Sequence, residues 1–362
     1  MKDSTGGSAA AGPLPFATRD LPGVPALFKA VPEDFRVDEL PAYLPSGEGE
    51  HVFVRVEKRG RDTREVVAEL SRALRFPERD VGVAGLKDRH AVTTQWLSLA
   101  RIDPAEALTL AGEGWRVLEA ARHGNKLRTG HLRGNRFRIL LRGVDEAGAV
   151  RANAIAEALR QRGLPNYFGP QRFGRSGDNA EVGRLLLLGK DDPRARRALR
   201  DHRMRRFLVS AFQSGIFNRV LAARLEEGTW ATPLEGDVLQ KLPAGGLFVC
   251  AEPSVDLPRV ASFECSITGP LPGAKVRPSP VGEPARLEDA ILAETGVGPE
   301  HLAASRDAMG ARRALRLPLA LSIEREDNGI RLEFELPPGT YATSVIRELT
   351  KAGPPPELDG AG

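Results

Sequence analysis

Leu319-Ala-Leu321-Ser-Ile323-Glu-Arg-Glu-Asp-Asn328-Gly329-Ile330-Arg-Leu332-Glu-Phe334-Glu-Leu336 decides how the chain is put together. Leu319, Leu321 and Ile323 recur at every second position, and so do Ile330, Leu332, Phe334 and Leu336. A period of two gives each run one apolar face, the pattern of a half-buried strand. Asn328-Gly329 lies between the runs, and Asn-Gly readily adopts the positive φ angles of a tight hairpin turn. A strand pair is therefore expected late in the chain.

The sequence before it has a different texture. From about residue 147 to 313 the spacing is mainly helical, at 151–161, 193–206, 207–227, 285–295 and 301–312. Gly228 is placed as a helix stop, and one short strand pair, 236–240 with 246–250, interrupts the helices. Further upstream, strands return at 51–57, 81–86, 115–120 and 136–141. One helix stands among them: Asp62 and Glu65 form a capping-box pair, followed by Val66, Val67, Leu70 and Leu74 on one face. Strand-rich ends around a helix-rich middle imply an α+β chain with a split domain. Its two segments, 15–165 and 314–350, share one sheet, and residues 166–313 are inserted. The small, polar stretches 1–14 and 351–362 read as flexible tails.

A chain of 362 residues suits this two-domain division. Its two cysteines, Cys250 and Cys265, cannot make a disulfide framework, and no Cys/His spacing resembles a zinc site. No apolar run approaches the ~18 residues of a membrane span, and the N-terminus lacks a basic-then-apolar signal segment. A cytoplasmic protein is the default expectation.

The net charge is +4, and the basic residues are 43 arginines against nine lysines. Arginine presents a planar fork that matches phosphate and stacks on bases. Abundant Ala, Gly and Pro offer a rival reading, in which arginine merely follows genome composition. By segment, the net charge is +4 for 1–165, +3 for 166–313 and −3 for 314–362. The segment 122–142 holds seven basic residues and no acid, 160–175 holds four and none, and 194–206 holds seven and one. These stretches fit a phosphate backbone, while the ordinary meaning of a charge run, a solvated face, suits 194–206 best.

Most familiar site motifs are absent. Gly169-Pro-Gln-Arg-Phe-Gly174-Arg175-Ser176 nearly matches a phosphate-binding loop, but Arg175 stands where lysine is required. Gly85-Leu86-Lys87-Asp88-Arg89-His90-Ala91-Val92-Thr93-Thr94-Gln95 follows what reads as a buried strand, Val81 to Leu86. An aspartate flanked by two cations stays ionised, which suits a nucleophile or an electrostatic stabiliser; a surface salt-bridge cluster is the other reading. In Gly134-Asn135-Arg136-Phe137 the aromatic ring either stacks on a base or belongs with Ile139 and Leu141 to a buried face. Asn166-Tyr167-Phe168-Gly-Pro-Gln171-Arg172-Phe173-Gly174 is either a ligand contact or a hinge packed by its own aromatics.

Taken together, these segments resemble the TruD family of tRNA pseudouridine synthases. Phe28-Lys29-Ala-Val-Pro-Glu33-Asp34-Phe35 looks like the family's first motif, and Gly85 to Gln95 like its catalytic motif. The Asn135 and Asn166 motifs follow in order, then Ser210-Ala-Phe-Gln-Ser214-Gly-Ile-Phe217-Asn218 and Leu336-Pro-Pro-Gly339-Thr340-Tyr341-Ala342-Thr343. The likeness spans about residues 28–349, with Thr340 where the family often has serine. It implies a discontinuous catalytic domain with a mixed, mainly antiparallel sheet, and an inserted α/β TruD-type domain.

The activity so implied is isomerisation of uridine to pseudouridine, at uridine 13 of tRNA, without metal or cofactor. Asp88 is then the catalytic carboxylate, attacking C1′ or assisting formation of a glycal. Lys29, Lys87, Asn135 and Phe137 support it: Lys29 by pairing with Asp88, Asn135 by holding Asp88 or the base, and Phe137 by stacking on the uracil. Arg89, Arg133, Arg136, Arg172, Phe168 and Phe173 are the expected RNA contacts. The partner is tRNA, with no membrane and no protein partner, and the chain is expected to be a monomer. Two other classes compete. One is an inactive tRNA-binding or folding protein, which would most simply have lost Asp88. The other is a nucleoside glycosidase, which needs a second carboxylate poised as acid.

Overall fold

The computed structural model describes residues 14–352. The tails expected at 1–14 and 351–362 lie outside this range, apart from Leu14, Lys351 and Ala352. The chain forms two compact units: residues 22–157 with 319–342, and residues 14–21 with 158–318 and 343–352.

The first unit is built on one sheet. Its long strands are β1 (Phe35–Pro41), β2 (His51–Arg59), β3 (Val92–Ala100), β4 (Trp115–His123), β5 (Leu132–Arg142), β6 (Ser322–Glu326) and β7 (Gly329–Leu336), in the order β6-β7-β5-β1-β3-β2-β4. Leu27–Phe28, Gly82–Val83 and Ala111–Gly112 add short strands on β5, β3 and β4. All pairings are antiparallel except β1 with β3, so the sheet is mixed and mainly antiparallel as expected. The hairpin β6–β7 forms as expected, but its two loop residues are Asp327 and Asn328, and Gly329 already pairs with Glu326 as the first residue of β7. Gly329 has φ +149°, and a Cβ there would collide with the carbonyl oxygen of Leu141. Strand β7 then pairs with β5 from Gly329 opposite Arg142 to Leu336 opposite Asn135.

Helix α1 (Thr63–Leu74) starts as its sequence dictates. The Asp62 carboxylate accepts from the Arg64 amide at 2.7 Å, and Glu65 accepts from the Asp62 amide at 3.0 Å. Val66, Val67 and Leu70 pack on Val52, Val54, Val56, Leu97, Leu99 and Val117. Each such side chain, fully buried, contributes about 1.5–3 kcal/mol.

The segment 81–86 departs from expectation. Only Gly82 and Val83 pair with β3, and Leu86 is 56% exposed. The backbone beyond them is held by side chains instead of a strand. Thr63 Oγ1 accepts from the Lys87 amide at 3.0 Å, and Lys58 donates to the carbonyls of Lys87 and Asp88.

In the second unit a four-stranded antiparallel sheet runs in the order Leu247–Val249, Val238–Lys241, Cys265–Leu271, Ala311–Ala314. The pair expected at 236–250 is its first half. A long helix, α2 (His202–Glu226), buries Val209, Phe212, Ile216 and Val220 in the core of this unit. The helices expected at 193–206 and 207–227 are divided differently. The break falls at 199–201, because the Asp201 side chain caps α2 by accepting from the Arg203 and Met204 amides at 2.8 and 3.2 Å. The helix expected at 301–312 stops at Ala304, and Ala311–Ala314 is a strand on Cys265–Leu271. Pairing with a neighbouring strand overrides the local helical spacing there. Among the described residues no helix is long and apolar enough to cross a membrane. Cys250 and Cys265 are both free and buried.

Candidate active site

The parallel pairing of β1 with β3 explains how two distant segments meet. Arg36 lies opposite Val92, so the chain enters both strands at the same end of the sheet. Lys29 precedes β1 and Asp88 precedes β3, and their side chains pair there, with Lys29 Nζ 3.0 Å from Asp88 Oδ2. Strand β2 runs the other way and ends at the same place, with Arg59 opposite Val92. The chain then turns directly into α1.

Lys29 is doubly fixed. Its ammonium lies 3.9 Å from the centroid of the Phe35 ring, a cation–π contact. Its backbone has φ +56°. A left-handed non-glycine residue is uncommon, and such strain persists where surrounding structure imposes it, often at functional sites. Asp88 remains 43% exposed and open to a ligand.

The expected flanking cations face elsewhere. Lys87 Nζ is 2.5 Å from Glu39 Oε2 in a pair that is nearly sealed from solvent, and Glu39 Oε1 also accepts from the Trp96 amide at 3.1 Å. Arg89 lies 3.4 Å from Glu65. The Glu65 carboxyl is held below its usual range by the Asp62 amide first, then by Arg61 and Arg89. The loop is therefore locked by three side chains: Lys87 on Glu39, Thr63 on the Lys87 amide and on Gln95 at 2.8 Å, and Lys58 on the carbonyls of Lys87 and Asp88.

Alternation along β1 and β5 assigns the remaining residues to faces. Phe35, Val37 and Glu39 share a face with their partners Ile139, Phe137 and Asn135. This is the face of Lys29 and Lys87. Phe137 is buried there, 6.0 Å from the Phe35 ring and stacked at 5.3 Å on Phe334. It belongs to the apolar face, as do the fully buried Ile139 and Leu141. The Asn135 Oδ1 atom is buried without a hydrogen-bond partner among the described residues. Asn135 makes no hydrogen bond to Asp88 in this arrangement.

Arg136 and Arg138 point to the opposite face. There Arg136 Nη2 is 2.8 Å from Glu335, and Arg138 Nη1 is 3.2 Å from Asp38. Arg133 lies 3.7 Å from Glu335, and Arg142 makes a bidentate pair with the buried Asp34 at 2.7 and 2.8 Å. The stretch 122–142 is free of acid in sequence, but β1 and β7 bring carboxylates beside it.

Arg172, Phe168 and Phe173 belong to the second unit. Phe168 is 8% exposed, edge-on to Phe217 at 5.5 Å, with the Arg313 guanidinium 4.2 Å from its ring centroid. Its backbone is tied to Asn218, which accepts from the Phe168 amide at 2.9 Å and donates to its carbonyl at 3.0 Å. Arg172 donates to Ser210 and to Ser214, the latter at 3.3 Å. Phe173 is half-buried. Phe168 is thus packed against α2 and Arg313, and the near-match to a phosphate-binding loop is a short 3-10 turn at Pro170–Arg172.

The residues that sequence reasoning missed are Lys58, Glu39 and Thr63. For Lys58 a signal existed: it continues Val52, Val54 and Val56 at intervals of two, on a face that buries every other member.

The family model described as "tRNA pseudouridine synthase D (TruD)" matches residues 15–195 and 188–349. A protein of Anaeromyxobacter sp. (strain Fw109-5) named tRNA pseudouridine synthase D is 54% identical over 95% of this chain and 98% of its own. One from Thermus thermophilus with the same name is 44% identical over 93% and 92%. The crystal structure of the Methanosarcina mazei protein designated tRNA pseudouridine synthase D shares the fold, with a TM-score of 0.76 at 24% identity, over 95% of this chain and 97% of that one. A sequence match over nearly the full length, joined to the same fold, leaves one conclusion: the chain belongs to the TruD family.

Proposed function

We propose that this protein isomerises uridine to pseudouridine in tRNA, at uridine 13, with Asp88 as the reacting carboxylate. The carrying observation is the exposed Asp88 carboxylate, paired with Lys29 at 3.0 Å on a rigidly held loop. Residues 15–165 and 314–350 are proposed as the catalytic domain, with the helix-rich residues 166–313 as the insertion. The cytoplasm is the proposed place of action, with the chain acting as a monomer.

The reaction breaks the C1′–N1 bond, turns the uracil and joins C1′ to C5, after which C5 loses its proton and N1 gains one. Asp88 serves it either by attacking C1′ or by taking the C2′ proton to form a glycal. Lys29 orients the carboxylate and balances its charge. The base must leave its stack to reach Asp88, at a cost of about a few kcal/mol. Phosphate contacts from Arg89, Arg133, Arg136 and Arg172 and stacking on the half-buried Phe173 are the proposed sources of that energy; Phe168, buried under Arg313, is left to pack the segment that carries them. On the sheet, the arginines would exchange carboxylate partners for phosphate. Asn135, with its unpartnered oxygen, is proposed to hold the base edge, and Phe137 to back it.

Asp88→Asn tests the reading. The expected outcome is loss of pseudouridine in a tRNA transcript, mapped by reverse transcription after carbodiimide treatment, with tRNA affinity within about a few-fold because phosphate contacts dominate binding. Near-normal turnover of this variant sinks the assignment, and modification at a different uridine sinks the position.

A further inference from the structure

Lys58 belongs to none of the motifs, yet it is only 1% exposed. Its ammonium donates to the carbonyl oxygens of Arg61 at 2.6 Å, Asp88 at 2.7 Å and Lys87 at 3.2 Å. An ammonium has three N–H donors, so all three are engaged by backbone. Among the described residues no carboxylate lies within ion-pair distance of it. A buried ammonium without a carboxylate is costly. A strand that only had to fill a core would carry another aliphatic residue here, as at Val52, Val54 and Val56.

We propose that Lys58 is a positioning residue for Asp88, clamping the carbonyls of residues 87 and 88 to the start of α1 so that the backbone beneath the carboxylate cannot shift. The proposal rests on Asp88 being the reacting group. The Asp88 side chain is short and 43% exposed, with Lys29 as its one ion-pair partner among the described residues. Its place is therefore set by its main chain, and a displacement of about 1 Å from a reactive geometry can cost on the order of 100-fold in rate.

The clamp also depends on protonation. Burial lowers the Lys58 pKa to about 8; Asp62, Asp88 and Glu65 oppose this, and Lys87 adds to it. A neutral amine keeps two N–H donors, so one of the three carbonyls loses its partner. Folding favours the neutral form of such a lysine. Its burial penalty is full below about pH 8 and is relieved as pH rises toward the ordinary lysine value. Turnover and fold stability should therefore part company in alkali.

The test measures kcat and KM on a tRNA transcript between about pH 6.5 and 9.5, for wild type, Lys58→Met, Lys58→Arg and Asp88→Asn, with thermal melts at each pH. Lys58→Met is expected to remain folded, to lose kcat on the order of 100-fold and to keep KM within about threefold. Wild-type kcat is expected to fall above about pH 8 while its melting temperature relative to Lys58→Met rises. The alkaline limb should move up in Lys58→Arg, which keeps its charge. A folded Lys58→Met with near-normal kcat overturns the proposal. Should that variant not fold, a wild-type profile flat through the alkaline range overturns it, as does an unmoved limb in Lys58→Arg. An active Asp88→Asn would instead defeat the reading of the site on which the clamp depends.

Discussion

Lys87 turns away from Asp88: its ammonium lies 2.5 Å from Glu39 Oε2, with the two side chains 5% and 1% exposed, while the neighbouring Asp88 is 43% exposed. Two adjacent residues thus serve opposite sides of the chain. Lys87 roots the loop in the sheet, and that leaves Asp88 facing outward.

Breaking that root should be costly. Lys87→Met leaves a buried carboxylate without its cation, and losing one partner of a buried pair costs about 3–5 kcal/mol. The double variant Glu39→Gln/Lys87→Met should recover a large part of this, because neither charge is then stranded. Urea unfolding of the single and double variants measures the coupling. Equal instability of the two would show that the pair contributes through something other than charge.

Acid should find a different weak point. Burial raises the Asp34 pKa, but the Arg142 guanidinium and the Val31 amide outweigh it, so the carboxyl titrates below its usual 3.8. A carboxyl lowered by folding stabilises the protein fully above its unfolded value and loses that contribution as pH falls through the folded one. Wild type should therefore melt higher than Asp34→Asn near neutrality, with the gap closing below about pH 4. A gap unchanged by pH would mean that the ion pair is not its source.

Gly134 should resist even alanine. A Cβ there would strike the Leu336 carbonyl oxygen across the β5–β7 pairing. Forcing β7 outward should cost about 1–3 kcal/mol, as overpacking does. Because Asn135 is the residue opposite Leu336, turnover should fall more than stability alone accounts for. Calorimetry alongside the kinetic assay separates the two effects, and a variant as stable and active as wild type would refute the close approach.

Much of this was legible in the residues themselves. The hairpin, the capped α1 and the strands at 51, 115 and 136 follow from period, cap chemistry and turn residues, which are local properties. Asp88 stood out as an aspartate between two cations, and its pairing with Lys29 was an expectation of the family resemblance. Strand β3 was missed because Val92 to Ala100 is almost wholly buried on both faces and shows no alternation. The 81–86 strand was overread because its apolar residues look continuous, whereas only Gly82 and Val83 pair with β3, the Gly130 amide donates to the Ala84 carbonyl, and Thr63 and Lys58 hold the backbone of residues 87 and 88. The arginine stretch misled for a related reason. A run without acid says nothing about carboxylates that neighbouring strands deliver, and Glu333 and Glu335 come from the far end of the chain.

The pairing of β5 with β7 also bears on how the protein is made. Arg136 and Glu335 are 199 residues apart, yet they face each other across two adjacent strands. Synthesis runs from the N-terminus, so β5 emerges long before its partner exists. Its edge, with Phe137 awaiting Phe334, stays open while the whole intervening unit is translated. Open edges and distant partners slow folding and invite wrong pairings. The nascent chain carries every residue of the Asp88 loop early, and becomes a complete sheet only when its last hairpin leaves the ribosome.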